Sequence, residues 1–190
     1  MNVADQLPVI PPALPRPKPA APELVAFALR DPDKRVRLMV RLGNDVGLRR
    51  GEVAAGHSDD LFQDLDGWSL RVHGKGSREG TVPLPDDLAR ALRALGPGYF
   101  FPGRDNGHLS ARWVGKLVKR ALGGEATMHQ LRHLCATQLH QDTKDLRMVQ
   151  ELLRHASLTT TQRYVAVPNG ALRAAVSARS ADWSQPDRAA

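Results

Sequence analysis

Apolar residues recur every three or four positions through most of this 190-residue chain, but between Ser58 and Pro85 the period drops to two. Leu61, Trp68, Leu70, Val72, Val82 and Leu84 alternate there with polar neighbours, and turn signals stand at Asp66-Gly67 and Gly74-Lys75-Gly76. Side chains repeat every 3.6 positions on a helix and every two on a strand, so a change of period is a change of element. The block therefore reads as two or three short antiparallel strands, with Lys75 at or near a hairpin tip. The fold class that follows is α+β, mostly α-helical with one small antiparallel β-sheet.

Helices are expected on both sides of the sheet. Leu24, Val25, Ala28 and Leu29 share one face between Pro22 and Arg30. Asp31-Pro32-Asp33 breaks that helix and caps the next, which carries Val36, Met39 and Val40. A short helix follows Gly47 and runs through Glu52 to Ala55. Beyond the sheet, Asp86 to Leu95, Ser110 to Leu122, His129 to Gln141 and Asp145 to Arg154 read as helices, and a last one begins at Leu172. The helix capped by Ser110 sets apolar Trp113, Val114, Leu117 and Val118 against basic Arg112, Lys116, Lys119 and Arg120. Trp68, Trp113 and the Phe100-Phe101 pair read as packing residues, and Cys135 as a buried small hydrophobe. Seven of the fourteen prolines fall within the first 22 residues, which makes that segment extended rather than packed. The expected organisation is a linker over residues 1–20, one domain over 21–182 and a tail over 183–190.

Lys and Arg number 27 against 20 Asp and Glu, a formal charge of +7 that suits a polyanionic partner, nucleic acid first. The single cysteine excludes a disulfide framework and a multi-cysteine zinc site. No apolar run is long enough to span a membrane, and the N-terminus lacks the pattern of a signal peptide, so a soluble cytoplasmic protein is expected. Phosphate loops, HExxH, paired CxxC and GxSxG are missing, and the histidines do not cluster at metal-ligand spacing. Neither cofactor nor metal is expected.

Four segments carry candidate chemistry. In Gly47-Leu48-Arg49-Arg50-Gly51-Glu52-Val53, an arginine at a helix start stands three residues before a carboxylate able to hold it while its guanidinium faces a phosphate. Lys75 occupies the expected hairpin. In Met128-His129-Gln130-Leu131-Arg132-His133, His129 and Arg132 are three apart and share a helix face. Leu152-Leu153-Arg154-His155 is followed, nine residues after His155, by Tyr164.

In this order and at these separations, the four segments resemble the catalytic domain of the tyrosine recombinases, the phage-integrase family, over about Pro22 to Ala178. The resemblance implies metal-independent cutting and rejoining of double-stranded DNA. Arg49 and Arg132 would grip the non-bridging phosphate oxygens. Tyr164 would be the nucleophile that forms a 3′-phosphotyrosyl link and releases a 5′-hydroxyl. Lys75 resembles the general acid, His129 the acceptor of the tyrosine proton (with acid–base duty shared between them) and His155 a phosphate-binding group. Glu52 would orient Arg49 or a neighbouring histidine, and His133 would support packing. Arg78, Arg112, Lys116, Lys119, Arg120 and Arg154 are candidates for contact with the DNA backbone.

The resemblance also implies a homotetramer on DNA, with the segment around Leu172 docking on a neighbouring protomer, a monomer without DNA, and a directionality factor as a further partner. It places the protein with the bacterial or phage nucleoid. The family's N-terminal clamp domain is expected to be absent. Arg154 stands where the family usually has glycine, so it either strains the turn that sets His155 or adds a phosphate contact. Asp142, in the turn Gln141-Asp142-Thr143, also replaces a usual glycine. The alternative to a recombinase is a non-catalytic DNA-binding remnant or a regulator of a full-length enzyme.

Overall fold

The computed structural model describes residues 19–74, 79–154 and 172–178. Helix α1 (Pro22–Ala28) opens with a proline, whose missing N–H would be unpaired there in any case. Helix α2 (Lys34–Asn44) starts where expected: the Asp33 carboxylate accepts the backbone N–H of Arg35 at 2.8 Å. Helix α3 (Arg50–Ala54) follows a turn at Gly47, and a short 3₁₀ turn at Ser58–Asp60 leads into the sheet.

Strands β1 (Leu61–Asp64), β2 (Gly67–His73) and β3 (Glu79–Pro83) form one antiparallel sheet in the order β1-β2-β3. Leu70 at its centre pairs with Leu61 on one side and Val82 on the other. Leu70, Val72 and Val82 are buried, so the alternation read in the sequence is the alternation between core and solvent. Lys75 and Arg78 belong to the connection between β2 and β3 and lie outside the described residues.

Helix α4 (Asp86–Arg93) backs β2 with Leu88, Ala89 and Leu92. Phe100 and Phe101 are buried beyond it, as expected. Strand β4 (Pro102–Asp105) was not legible in the sequence, because Pro-Gly-Arg-Asp has neither apolar alternation nor a strand-forming composition. Helices α5 (Ala111–Ala121), α6 (Met128–Thr143) and α7 (Leu146–Leu153) complete the main body, capped by Ser110, Thr127 and Asp145. Residues 172–178 form a last helix, α8. Helix α6 packs against α2, α5 and α7, and its Leu131, Cys135 and Leu139 are fully buried at the centre of the core. Cys135 is thus the buried hydrophobe that its sequence neighbours suggest.

Two expectations need correction. Trp113 is not a core residue: it is 49% exposed, because Val114, Val118 and Ala121 define the inward face of α5 and Trp113 lies about 100° round from Val114. Its ring instead lies 5.5 Å from the Lys116 ammonium. Asp142 is not in a turn, since α6 continues through Thr143 and the left-handed residue is Lys144, with φ of 55°. Ala20, at the expected start of the domain, is buried and donates its N–H to the carbonyl of Gln130 at 3.1 Å. Helix α8 rests on this chain's own core through Leu172 and Val176. Its Arg173 donates to the Trp68 carbonyl, to Ser69 Oγ at 2.9 Å and to Asp64 at 3.2 Å, locking α8 to the β1–β2 end of the sheet.

Candidate active site

The site begins with a glycine that no other residue can replace cheaply. Gly47 has φ of +68°, and a Cβ there would stand 2.7 Å from Leu153 Cδ2 and 3.3 Å from Cys135 Sγ. The left-handed backbone turns the chain at the end of α2 and points Arg49 out of the core as the cap residue of α3. The carboxylate of Glu52, one turn into α3, reaches back. It accepts the Arg49 backbone N–H at 2.7 Å and Arg49 Nη1 at 2.9 Å. This is the pairing that the three-residue spacing predicted.

Glu52 is 8% exposed and has a second cation. Arg154 Nη2 donates to its Oε2 at 2.7 Å, across 102 residues of sequence. Burial by itself pushes the Glu52 carboxyl up; the charge of Arg154, with the N–H and guanidinium of Arg49, outweighs it, and the group is held below the ordinary carboxylate range. Glu52 is therefore an ionised hub between two arginines. It orients Arg49 and contacts no histidine among the described residues.

Arg132 is the most deeply set of the predicted residues among those described, at 4% exposure. It projects from α6, and its fork donates Nη1 to the Gly47 carbonyl and Nη2 to the Leu153 carbonyl. Those carbonyls stand two residues before Arg49 and one before Arg154. One planar guanidinium thus ties together the two segments that carry the other cations, which a single ammonium could not do. Burial, then repulsion from Arg49, lowers the Arg132 pKa to about 10, with Glu52 opposing. The side chain is a cation in an environment short of negative charge.

His129 lies exposed one turn before Arg132, and its Nε2 is 3.0 Å from Nε2 of His133, so one ring donates to the other. Burial, followed by the proximity of His129 and Arg132, holds His133 below the usual imidazole pKa. His133 accordingly touches a predicted reactive group, a role beyond the packing expected of it.

Arg49, Arg132 and His129 line one open cleft of about 600 Å³ together with Arg50, Arg112, Lys116 and Lys119. Three of the four basic residues predicted on α5 therefore face the cleft; Arg120 is exposed and does not line it. A neighbouring cavity is lined by Arg49, Glu52, His73, Glu79, Gly80 and Arg154. Lys75, Arg78, His155 and Tyr164 lie outside the described residues. Arg50 and His73 are among the lining residues left unassigned in the sequence. Arg50 was detectable as the second half of Arg-Arg. His73, bonded to Asp60 at 2.8 Å, carried no signal beyond its place at the end of β2. Among the described residues, no group of three or more His, Cys, Asp or Glu side chains is arranged to hold a metal ion, and no helix is long and apolar enough to cross a membrane.

Comparison with known proteins shows the family to which the chain belongs. The profile of the phage integrase family matches residues 18–169. The tyrosine recombinase XerC of Xylella fastidiosa (strain M23) is 39% identical over 142 residues, covering 68% of this chain and 48% of the relative. The tyrosine recombinase XerA of Thermococcus kodakarensis is 38% identical over 159 residues, covering 75% and 54%. Among solved structures, an integrase from mycobacterium phage Brujita superposes with a TM-score of 0.73 at 31% identity, covering 95% of this chain and 62% of that one. The chain spans about half the length of the curated relatives it matches. On the sequence match, the mostly helical fold with its small sheet and the likeness to the solved integrase, the chain belongs to the phage integrase family and carries the catalytic domain of a tyrosine recombinase.

Proposed function

We propose that this chain cuts and rejoins double-stranded DNA as the catalytic part of a site-specific recombinase of the integrase type. The observation that carries the reading is the convergence of Arg49, Arg132 and His129 on one cleft, with Glu52 behind Arg49 and a wall of Arg50, Arg112, Lys116 and Lys119. A phosphodiester seated there gains most as negative charge builds on its non-bridging oxygens, because Arg132 is a buried cation with little else to balance it. The α5 cations supply contacts to neighbouring phosphates, which give affinity without sequence preference.

In the proposed reaction the Tyr164 hydroxyl attacks the scissile phosphorus as its proton passes to His129, through which His133 is coupled. The bond to the 5′-oxygen breaks, and Lys75 protonates that oxygen. The 3′-phosphotyrosyl ester keeps the energy of the broken bond, so attack by another 5′-hydroxyl rejoins DNA and frees Tyr164 without a nucleotide cofactor. His155 hydrogen-bonds the phosphate. The roles of Lys75, His155 and Tyr164, and the backbone contact assigned to Arg78, rest on the motifs. Strand exchange in a tetramer on DNA and control by a directionality factor belong to the same proposal.

The test is covalent trapping at low salt on nicked duplexes and negatively supercoiled plasmid, comparing wild type with Tyr164→Phe. A protein–DNA adduct seen on denaturing gels only with the wild type is expected. Adducts that persist in Tyr164→Phe would remove Tyr164 as the nucleophile. Salt-sensitive binding with no adduct in either protein would favour a DNA-binding remnant or regulator.

A further inference from the structure

The arginine at position 154 is an unexplained element of the site. It ends α7 with φ of 50° and ψ of 49°, a left-handed conformation that side chains other than glycine and asparagine rarely adopt. Backbone strain of this kind persists where surrounding contacts hold it, and those contacts are visible. The Arg154 side chain, 15% exposed, crosses the face of β3 at Gly80, where a Cβ would stand 2.4 Å from Arg154 Cδ. A glycine at 80 therefore opens the space this side chain uses. Beyond it, Nη1 donates to the Leu152 carbonyl at 3.2 Å, and Nη2 reaches Glu52 Oε2 at 2.7 Å.

Arg154 and Arg49 thus take opposite oxygens of one carboxylate, with the Arg49 N–H sharing the oxygen that Arg154 holds. From this geometry we infer that Arg154 is a positioning residue for the proposed DNA cleavage: it keeps Glu52 ionised and in place, and Glu52 in turn holds Arg49 toward the scissile phosphate. The inference rests on the recombinase reading for its consequence, though not for the contact itself. It also decides between the two roles open to position 154 in the sequence. The guanidinium is spent on Glu52, and the turn strain is the condition for delivering it.

Every charged group facing Glu52 among the described residues bears on the test. Arg49 comes from the start of α3, Arg154 from the end of α7, and Arg132 acts on it from α6. His73 and Glu79 line the same cavity from β2 and β3. Without Arg154 the carboxyl keeps its burial and loses its strongest neighbouring cation, so its protonation moves to higher pH.

The experiment titrates the Glu52 carboxyl by NMR in the full chain with ¹³C-labelled glutamate, the signal assigned by its loss in Glu52→Gln. Wild type is compared with Arg154→Gly, which suits the left-handed backbone, and with Arg154→Lys, which keeps a charge but not the fork. The expected midpoint rises in Arg154→Gly and rises less in Arg154→Lys. An unmoved midpoint in both overturns the inference whether or not the chain cuts DNA. Covalent trapping with the same proteins is expected to be at least tenfold slower for Arg154→Gly at neutral pH, with the acid limb of the rate profile displaced upward. Rates equal to or above wild type across the pH range also overturn it. A wild type that forms no adduct counts against the recombinase reading, and the carboxyl titration still decides what Arg154 does.

Discussion

Replacing Glu52 by Gln removes one charge and almost no volume. The amide oxygen can take the place of Oε2 and keep the bonds from the Arg49 N–H and from Arg154, both 2.7 Å long. The amide nitrogen then faces Arg49 Nη1, whose side chain is 48% exposed and can turn to water, a loss of about 0.5 kcal/mol. Arg154, 15% exposed, has no such escape. Breaking a buried pair outright costs about 3–5 kcal/mol, and the hydrogen bond retained offsets about 1–2 of that. The expected destabilisation is about 3 kcal/mol at pH 7, roughly 6–12 °C in Tm for a chain of this length.

The pH dependence has a definite sign. The folded Glu52 carboxyl is held below its ordinary value, so its contribution is complete above the unfolded pKa and is lost as pH falls through the folded one. Urea unfolding of wild type and Glu52→Gln should differ by a constant amount from pH 6 to 8 and converge in acid, where the wild-type carboxyl is itself neutral. A difference below about 0.5 kcal/mol at pH 7, or one that persists unchanged in acid, would refute the charged hub.

Three further outcomes are expected. Arg132→Lys cannot serve both the Gly47 and Leu153 carbonyls, and covalent trapping should slow by on the order of a hundredfold or more while duplex affinity, read by fluorescence anisotropy, changes far less. Gly47→Ala meets Leu153 at 2.7 Å in a left-handed backbone, and urea unfolding should show a loss of about 2–3 kcal/mol. Changing Arg112, Lys116 and Lys119 together to Ala should flatten the dependence of log K on log salt by about 0.9 for each phosphate these side chains neutralise, with equal effect on unrelated duplexes; an unchanged slope would place DNA elsewhere.

Local physics made most of the fold legible. Asp33, Ser110 and Asp145 cap helices where short polar side chains bond free N–H groups, and the alternation around Leu70 became the centre of the sheet. The errors were errors of angle and length. Trp113 lies about 100° from the buried stripe of α5, and α6 runs two residues past Gln141, with Thr143 Oγ1 donating to the Leu139 carbonyl at 2.7 Å and the break falling at Lys144. The pairing of Arg49 with Glu52 was legible because it spans a single helical turn.

By itself, then, the sequence determined the order of the helices and the place of the three-stranded sheet among them, the basic face of α5 and the arginine–carboxylate pair of α3, all set by neighbours within about four residues. Only the tertiary structure decided that Arg132 grips the carbonyls of Gly47 and Leu153, and that Arg154 reaches Glu52 across Gly80. A backbone carbonyl has no letter in the sequence, and these partners lie 85, 21 and 102 residues apart. Contacts at that range exist only once the packing of α2, α6 and α7 has brought the segments together.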